Sequence, residues 1–282
     1  MSILLTNNNI KAKNSGFSLI ELMVAMFIGL FLLTGIATSY LSSKKTSVER
    51  NEFSVLEDNG RLALEFLSKA IEHTGYSPAR NTPEYQFISS APSIVVDNCS
   101  DGTANILDSS ILKVTEDKAT GDSIGIVYHG DSNLFTDCSG GVLPNVCRLN
   151  PILTASPFPD AAKIYSSFYV DSVKNNLMCA GSRSSQPEVI AEGIENIQYL
   201  YGLDTVDDDE IKADRYVPAS SIGTNWNNVV SVQIALLVRS LKPVKSSNES
   251  KKFTLLNEVI TTPSDRFKRA VFSTTVYLRN TL

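Results

Sequence analysis

One carboxylate lies inside an otherwise uncharged apolar stretch near the start of the chain. Residues 17–40 contain Glu21 and no other Asp, Glu, Lys or Arg. A carboxylate at the centre of a bilayer costs about 2.5–3.5 kcal/mol, and the cost is smaller near an end of the span. Two interpretations stay open. The side chain reaches the membrane interface, or it pairs with a cation such as the N-terminal amine of a neighbouring subunit, which offsets the cost when the geometry is good.

Four cysteines, Cys99, Cys138, Cys147 and Cys179, all follow the apolar stretch. No two of them form a C-x-x-C pair, and the chain has only two histidines, so zinc spacing is absent. The even number suggests disulfides formed in an oxidising compartment, with free buried thiols as the alternative. Three pairings are possible. We favour Cys138 with Cys147 across a turn-rich loop, which leaves Cys99 with Cys179.

An acidic run between two predicted strands raises the possibility of a calcium site. Its carboxylates are those of Asp204, Asp207, Asp208 and Asp209. Calcium prefers several carboxylate oxygens, but an EF-hand loop counted from Asp204 fails at its third, sixth and twelfth positions. We therefore expect a solvated loop and no metal or cofactor, with a nonstandard calcium site as the alternative.

The sequence carries no pattern typical of an enzyme or of a nucleic-acid-binding protein. It lacks G-x-S-x-G, H-E-x-x-H and P-loop motifs. Its formal net charge is -5, and its lysines and arginines are scattered rather than gathered in a basic stripe. These observations predict a protein that is not an enzyme and does not bind nucleic acid directly.

The apolar stretch that holds Glu21 is long enough to cross a membrane as a helix. A secretory signal peptide is the alternative, but its apolar region would be shorter and a small-residue cleavage site would follow it. Here the small residue Gly16 precedes the stretch, so cleavage there leaves the stretch on the mature protein. Lys11 and Lys13 precede the span without an acid, which predicts a cytoplasmic N-terminus and an extracytoplasmic remainder.

A single helix is expected from Phe17 to His73, ending before Gly75 and Pro78. Gly29 and Gly35 either weaken its membrane half or allow close packing of another helix. Its second half is amphipathic. The apolar stripe is predicted at Val48, Val55, Leu62, Phe66, Ala70 and Ile71, widened by Leu56, Ala63 and Leu67.

The rest of the chain is β-rich, which makes the fold class α+β, with the long helix packed on an antiparallel β domain. Strands are predicted near residues 93–96, 122–130, 163–173, 193–203, 228–240 and 272–280. The continuously apolar segment 229–238 is expected at the centre of a sheet, and the alternating segment 271–278 is expected to face solvent on one side. The predicted parts are a leader (1–16), a transmembrane half-helix (17–40), an amphipathic half-helix (41–75) and a globular domain (76–282).

The segment from Gly16 through Phe17 to Glu21 closely resembles the N-terminal motif of type IV prepilins. Blocks at 193–205, 226–240 and 271–280 resemble minor pilins of the PilW type, and J-type pseudopilins share parts of this layout. The resemblance implies cleavage between Gly16 and Phe17 by a prepilin peptidase and N-methylation of Phe17. It also implies that Glu21 neutralises the amine of an adjacent subunit. Unlike many major pilins, the chain has no proline in the span.

The resemblance implies a minor pilin that joins other minor pilins and the major pilin to prime or cap a type IV pilus. Twitching motility, adhesion and DNA uptake would be the outputs of that pilus. The chain would use the inner-membrane assembly platform, keep its C-terminal domain in the periplasm, and end near the pilus tip, beneath another tip subunit because it retains Glu21. The alternatives are a J-type pseudopilin of type II secretion, a filament-displayed adhesin-like binding module and a membrane-anchored periplasmic enzyme.

Overall fold

The computed structural model describes residues 16–78, 86–88, 109–149, 162–206 and 210–280. The chain divides into two compact units, with the boundary between Glu49 and Arg50. One long helix, α1, runs from Leu19 to Glu72 and confirms the predicted helix. It ends before Gly75, whose φ of +72° is a left-handed conformation that favours glycine after a helix.

The second unit buries one face of α1. The buried positions recur every three or four residues: Glu52, Leu56, Gly60, Ala63, Leu67 and Ile71. The predicted stripe is therefore partly wrong, because Val48 and Leu62 are 47% and 51% exposed. A glutamate and a glycine occupy two of the buried positions, so a stripe drawn through apolar residues alone is rotated away from the real face.

Glu52 and Gly60 attach α1 to the β domain. A Cβ at Gly60 would lie 2.7 Å from Cδ2 and Cε2 of Phe272, so the missing side chain allows a strand to approach the helix closely. Glu52 accepts a 3.0 Å hydrogen bond from the backbone N–H of Lys242. The Lys242 ammonium lies 3.6 Å from the other oxygen of Glu52. The second half of α1 is thus held against the β domain by a close contact with the Phe272 ring and by the bonds of Glu52.

The described part of the second unit contains ten antiparallel strands. They are β1 (Ile124–His129), β2 (Lys163–Asp171), β3 (Asn176–Gly181), β4 (Glu188–Glu192), β5 (Ile194–Leu203), β6 (Arg215–Val217), β7 (Val229–Arg239), β8 (Lys252–Leu255), β9 (Glu258–Thr261) and β10 (Arg269–Tyr277). One sheet has the order β1-β2-β3-β4, a second has the order β10-β7-β5-β6, and β8 pairs with β9 as a hairpin. Buried side chains of both sheets and of α1 form one hydrophobic core. The α+β class is confirmed.

Five predicted strand segments correspond to β1, β2, β5, β7 and β10. The sixth, at residues 93–96, lies outside the described residues. Strand β7 lies between β10 and β5, and it is buried along almost its whole length, as predicted for a central strand. Strand β10 alternates between exposed and more buried residues, as its sequence pattern predicts.

The predicted disulfide pairing is wrong. Cys138 is bonded to Cys179, with their Cα atoms 6.0 Å apart, instead of to Cys147. The sheet explains this pairing, because Cys179 lies on β3 and the backbone N–H of Cys138 donates to Ser166 Oγ on the neighbouring strand β2. Cys147 is also disulfide-bonded, and Cys99 lies outside the described residues.

Candidate functional site

The residues predicted for processing and assembly lie together at the start of α1. Gly16 is exposed, and Phe17 is 87% exposed. Both precede the first helical residue, Leu19. Exposed, non-helical peptide bonds are the preferred substrates of proteases. The bond between Gly16 and Phe17 is therefore accessible to cleavage.

Glu21 lies in the first turn of α1 and caps it. Its Oε2 atom accepts a 3.0 Å hydrogen bond from the backbone N–H of Ser18. The Ser18 carbonyl in turn accepts the 3.1 Å helical bond from the N–H of Leu22, so Ser18 is the N-cap residue. This is one half of a capping box, and the S-x-x-E pattern at residues 18–21 would have predicted it.

The capping bond uses one oxygen of Glu21. Within the described part of the chain, no hydrogen bond involves its Oε1 atom, and the side chain is exposed. A carboxylate in this position can accept a second, charge-assisted hydrogen bond from a cation outside the chain. The N-terminal end of the helix dipole also favours a negative charge here. Glu21 can thus cap its own helix and bind an external ammonium group at the same time.

The helix that begins here is exposed and apolar over its first half. It is the one helix of the described residues that is long and apolar enough to cross a membrane, with a mean hydropathy of 2.4 in an 18-residue window and none of that window buried. The hydroxyls of Thr34 and Thr38 donate to the carbonyls of Leu30 and Gly35, at 2.6 and 2.9 Å. Such bonds satisfy polar side chains within lipid.

The glycines of this half-helix are not required by contacts within the chain. A Cβ at Gly29 or Gly35 would meet no atom within 4 Å. Close packing against a second helix therefore stays a prediction for both positions.

Most of the acidic run lies outside the described residues, so a calcium site there stays a prediction. Asp204 is described, whereas Asp207, Asp208 and Asp209 lie outside the described residues. The nearby carboxylate of Asp214 accepts hydrogen bonds of 2.7 and 2.9 Å from the backbone N–H groups of Thr205 and Val206. These bonds, above all the one from Thr205, lower the pKa of Asp214. Among the described residues, no group of three or more His, Cys, Asp or Glu could hold a metal ion.

Two family profiles match the chain. The prokaryotic N-terminal methylation motif matches residues 11–37, which include the exposed Gly16–Phe17 bond and Glu21. The family described as Type IV Pilus-assembly protein W matches residues 167–280, which run from β2 to β10. No curated protein matches the chain.

Among solved structures, a type IV-like pilin from Thermus thermophilus is similar to this chain at 13% sequence identity and a TM-score of 0.44. The similarity covers 80% of this chain and 98% of the Thermus chain. A likeness this distant is not evidence of a shared function. The two profile matches cover separate regions, the start of α1 and the β domain.

Proposed function

We propose that this chain, which is a PilW-like type IV pilin, is a minor pilin that primes or caps the assembly of a type IV pilus. The observation that carries the proposal is the position of the methylation motif. It covers an exposed Gly16–Phe17 bond and a first-turn carboxylate, on a chain whose β domain matches Type IV Pilus-assembly protein W. Pilins are structural subunits, and we assign no catalytic reaction to this chain.

The proposal includes a defined maturation route. A prepilin peptidase cleaves between Gly16 and Phe17, and the new amine of Phe17 is methylated. Residues 17–40 hold the chain in the inner membrane as a single span, and the C-terminal domain lies in the periplasm. The mature chain then meets other minor pilins and the major pilin at the assembly platform and is carried at or near the pilus tip.

In this route, Glu21 binds the amine of a neighbouring subunit. A methylated amine still carries a proton and a positive charge, since methylation of an amine retains its charge. Both the amine and the carboxylate are costly in lipid when alone. Pairing between subunits offsets both costs, and the Glu21 Oε1 atom is available because the capping bond uses Oε2.

Substitution of Glu21 separates the capping role from the charge. Glu21→Gln keeps a side-chain oxygen for the Ser18 N–H but has no charge, whereas Glu21→Ala loses both. We expect both variants to insert into the membrane and both to fall at least about tenfold in sheared filaments, since a charge pair in lipid is lost. Asp58→Asn, an exposed acid on the domain half of α1, is the control and should assemble normally. Wild-type amounts of Glu21→Gln in filaments would refute the charge role.

A J-type pseudopilin would use the same membrane helix and the same charge pair for a different machine. The match to Type IV Pilus-assembly protein W supports a pilus rather than a secretion system. Deletion of the gene should therefore abolish piliation and leave type II secretion intact. The opposite result would identify the chain as a secretion subunit.

A further inference from the structure

Strand β10 is a long, regular sheet edge. It pairs with β7 through nine consecutive residues, from Arg269 opposite Arg239 to Tyr277 opposite Ser231, without a bulge. Among the described residues, no strand pairs with its other side. A regular edge of this length presents a row of backbone donors and acceptors that can pair with another chain.

The direction of these backbone groups follows from one hydrogen bond. The N–H of Leu278 donates to the carbonyl of Val230, beside β7. Backbone groups alternate in direction along an antiparallel strand, so those of residues 270, 272, 274 and 276 point to β7. Those of residues 271, 273, 275 and 277 point outward. Within the described part of the chain, no hydrogen bond is formed by the outward N–H groups.

The same four residues have exposed side chains. Tyr277 is 65% exposed, and Val271, Ser273 and Thr275 are also exposed. The intervening residues pack inward, as Phe272 does against Gly60. The exposed residues are uncharged, and β-branched and aromatic side chains such as those of Val271, Thr275 and Tyr277 favour an extended strand. The edge can therefore receive a strand without burying an unpaired charge.

The other edges of the two large sheets are protected. The outer edge of β1 is covered by residues 86–88, which include a bridge between Phe87 and Ile126. The pairing of β4 with β3 skips Ile190, which forms a bulge, and a glutamate occupies each end of β4. Strand β6 has three residues. Bulges, charges, covers and short strands all prevent edge pairing, and in the part of the chain that the structure describes β10 shows none of them between residues 270 and 277.

Charge restricts the partner of this edge. Residues 266–282 contain four cationic residues and no acid, but one of them, Arg269, is buried and paired with carboxylates. The other three lie at the ends of β10: Arg266 and Lys268 precede it, and Arg279, which stays 74% exposed beside Glu72, follows it. If β10 paired antiparallel with a second copy of itself, the cations of one end would lie opposite those of the other end, which is destabilising. A strand with acidic residues at its ends is complementary.

We propose that β10 is a docking edge for another subunit of the filament, which adds an extended segment with acidic ends alongside Val271–Tyr277. The main-chain hydrogen bonds would supply affinity, and the cations at the two ends would set the register. That the partner is a pilus subunit rests on the proposed function. Assembly in a filament holds such a partner at a high effective concentration, so the affinity of the edge itself can be modest.

Site-specific photo-crosslinking of the full-length chain in cells tests this edge. p-Benzoylphenylalanine is placed at Tyr277 and, as a control, at Val173, which is 87% exposed between β2 and β3. We expect an adduct with a different pilin-like subunit from position 277 and not from position 173. Mass spectrometry should locate the adduct in an extended segment flanked by Asp or Glu. An adduct that contains only this chain, or one in a basic segment, would overturn the proposal.

Backbone substitution then tests whether the hydrogen bonds are used. The double variant Ser273→Pro with Thr275→Pro removes two outward N–H groups, a change that edge strands tolerate. Its matched control, Ser273→Ala with Thr275→Ala, keeps both. The proline pair should lower the adduct on the order of tenfold, since each lost hydrogen bond weakens binding severalfold, and the alanine pair should not. If the proline pair alters the urea midpoint of the domain, Ser273→Lys replaces it, because a lysine also blocks an edge.

An unchanged adduct with the proline pair, or with Ser273→Lys where that replaces it, would contradict the edge model. Each variant is also assayed for cleavage at Gly16. Normal cleavage without an edge adduct refutes the docking edge alone, whereas loss of cleavage in the unmodified chain refutes the proposed function.

Discussion

Replacing Gly60 with alanine should destabilise the β domain, although alanine is the better helix former by about 1 kcal/mol. A Cβ at position 60 would lie 2.7 Å from two ring carbons of Phe272 and 3.0 Å from its Cγ. Ordinary carbon contacts are about 3.5–4.0 Å, so the ring must move by about 1 Å. Overpacking of this kind costs about 1–3 kcal/mol. We expect Gly60→Ala to lower the free energy of unfolding by up to about 2 kcal/mol after the gain in propensity.

Urea unfolding of the full-length chain in detergent measures this change. The chain contains one tryptophan, Trp226, whose ring lies 5.4 Å from that of Phe87 and 5.5 Å from that of Tyr201. Its fluorescence therefore reports on the packed β domain rather than on the membrane half of α1. The midpoint should fall without a change in slope, since the surface exposed on unfolding stays the same.

A double-mutant cycle isolates the contact between helix and strand. Phe272→Leu removes the ring atoms that the new Cβ would meet, so Gly60→Ala should be less harmful, or even stabilising, in that background. If Gly60→Ala stabilises the otherwise unmodified chain, or if the two changes add without coupling, the close approach of β10 to α1 is not what requires glycine at position 60.

Three further changes test other parts of the domain. Burial raises the pKa of Asp122 to about 6, against the opposing effect of two backbone N–H bonds. Because the pKa of Asp122 is higher in the folded than in the unfolded chain, its contribution to the free energy of unfolding is fully present below about pH 4 and is lost as the pH rises through about 6. Urea titrations should show a loss of about 2–3 kcal/mol over this range, and Asp122→Asn should abolish this pH dependence. Replacing Cys138 and Cys179 with serine opens a loop with a sequence separation of 41 and should cost about 4 kcal/mol by chain entropy, measured as a lower urea midpoint under oxidising conditions. The side chain of Arg269 is 2% exposed and binds Glu195 through two hydrogen bonds of 2.6 and 2.8 Å. Arg269→Met should therefore cost about 3–5 kcal/mol in the same assay, because it removes the partner of a largely buried carboxylate. Lys69→Met, which breaks the exposed pair of Lys69 and Glu65, is the control and should leave the urea midpoint nearly unchanged. A smaller loss of stability for Arg269→Met than for Lys69→Met would contradict the stabilising role of the buried pair between Arg269 and Glu195.

The helix and five strands were predictable because their own residues specify them. An apolar run of this length favours a helix in lipid, and β2, β5 and β7 are rich in β-branched and aromatic residues. Strands β6, β8 and β9, of three or four residues each, were missed. Strands β3 and β4 were also missed, because the segments 176–181 and 188–192 are short and lack a clear alternating pattern. They become strands through pairing with β2 and with each other. Sequence patterns describe residues along one strand, whereas these two strands depend on residues distant in the sequence.

The candidate site was predictable in its residues but not in its geometry. The Gly16, Phe17 and Glu21 positions follow from residue type and order, but the bond from Ser18 to Glu21 needed the S-x-x-E pattern as well. The disulfide could not be deduced, since Cys138 reaches Cys179 across the β2–β3 register rather than across the nearest loop. The buried face of α1 was misjudged because it includes Gly60, which packs against the ring of Phe272, whereas the predicted stripe was drawn through apolar side chains.

N-terminal mass spectrometry of the chain from membranes of cells with and without prepilin peptidase tests the central claim most directly. With the peptidase, the mature chain should begin at Phe17 and carry one methyl group on its amine. Without the peptidase, residues 1–16 should remain attached. Recovery of only full-length, unmethylated chain from piliated cells that contain the peptidase would contradict the account.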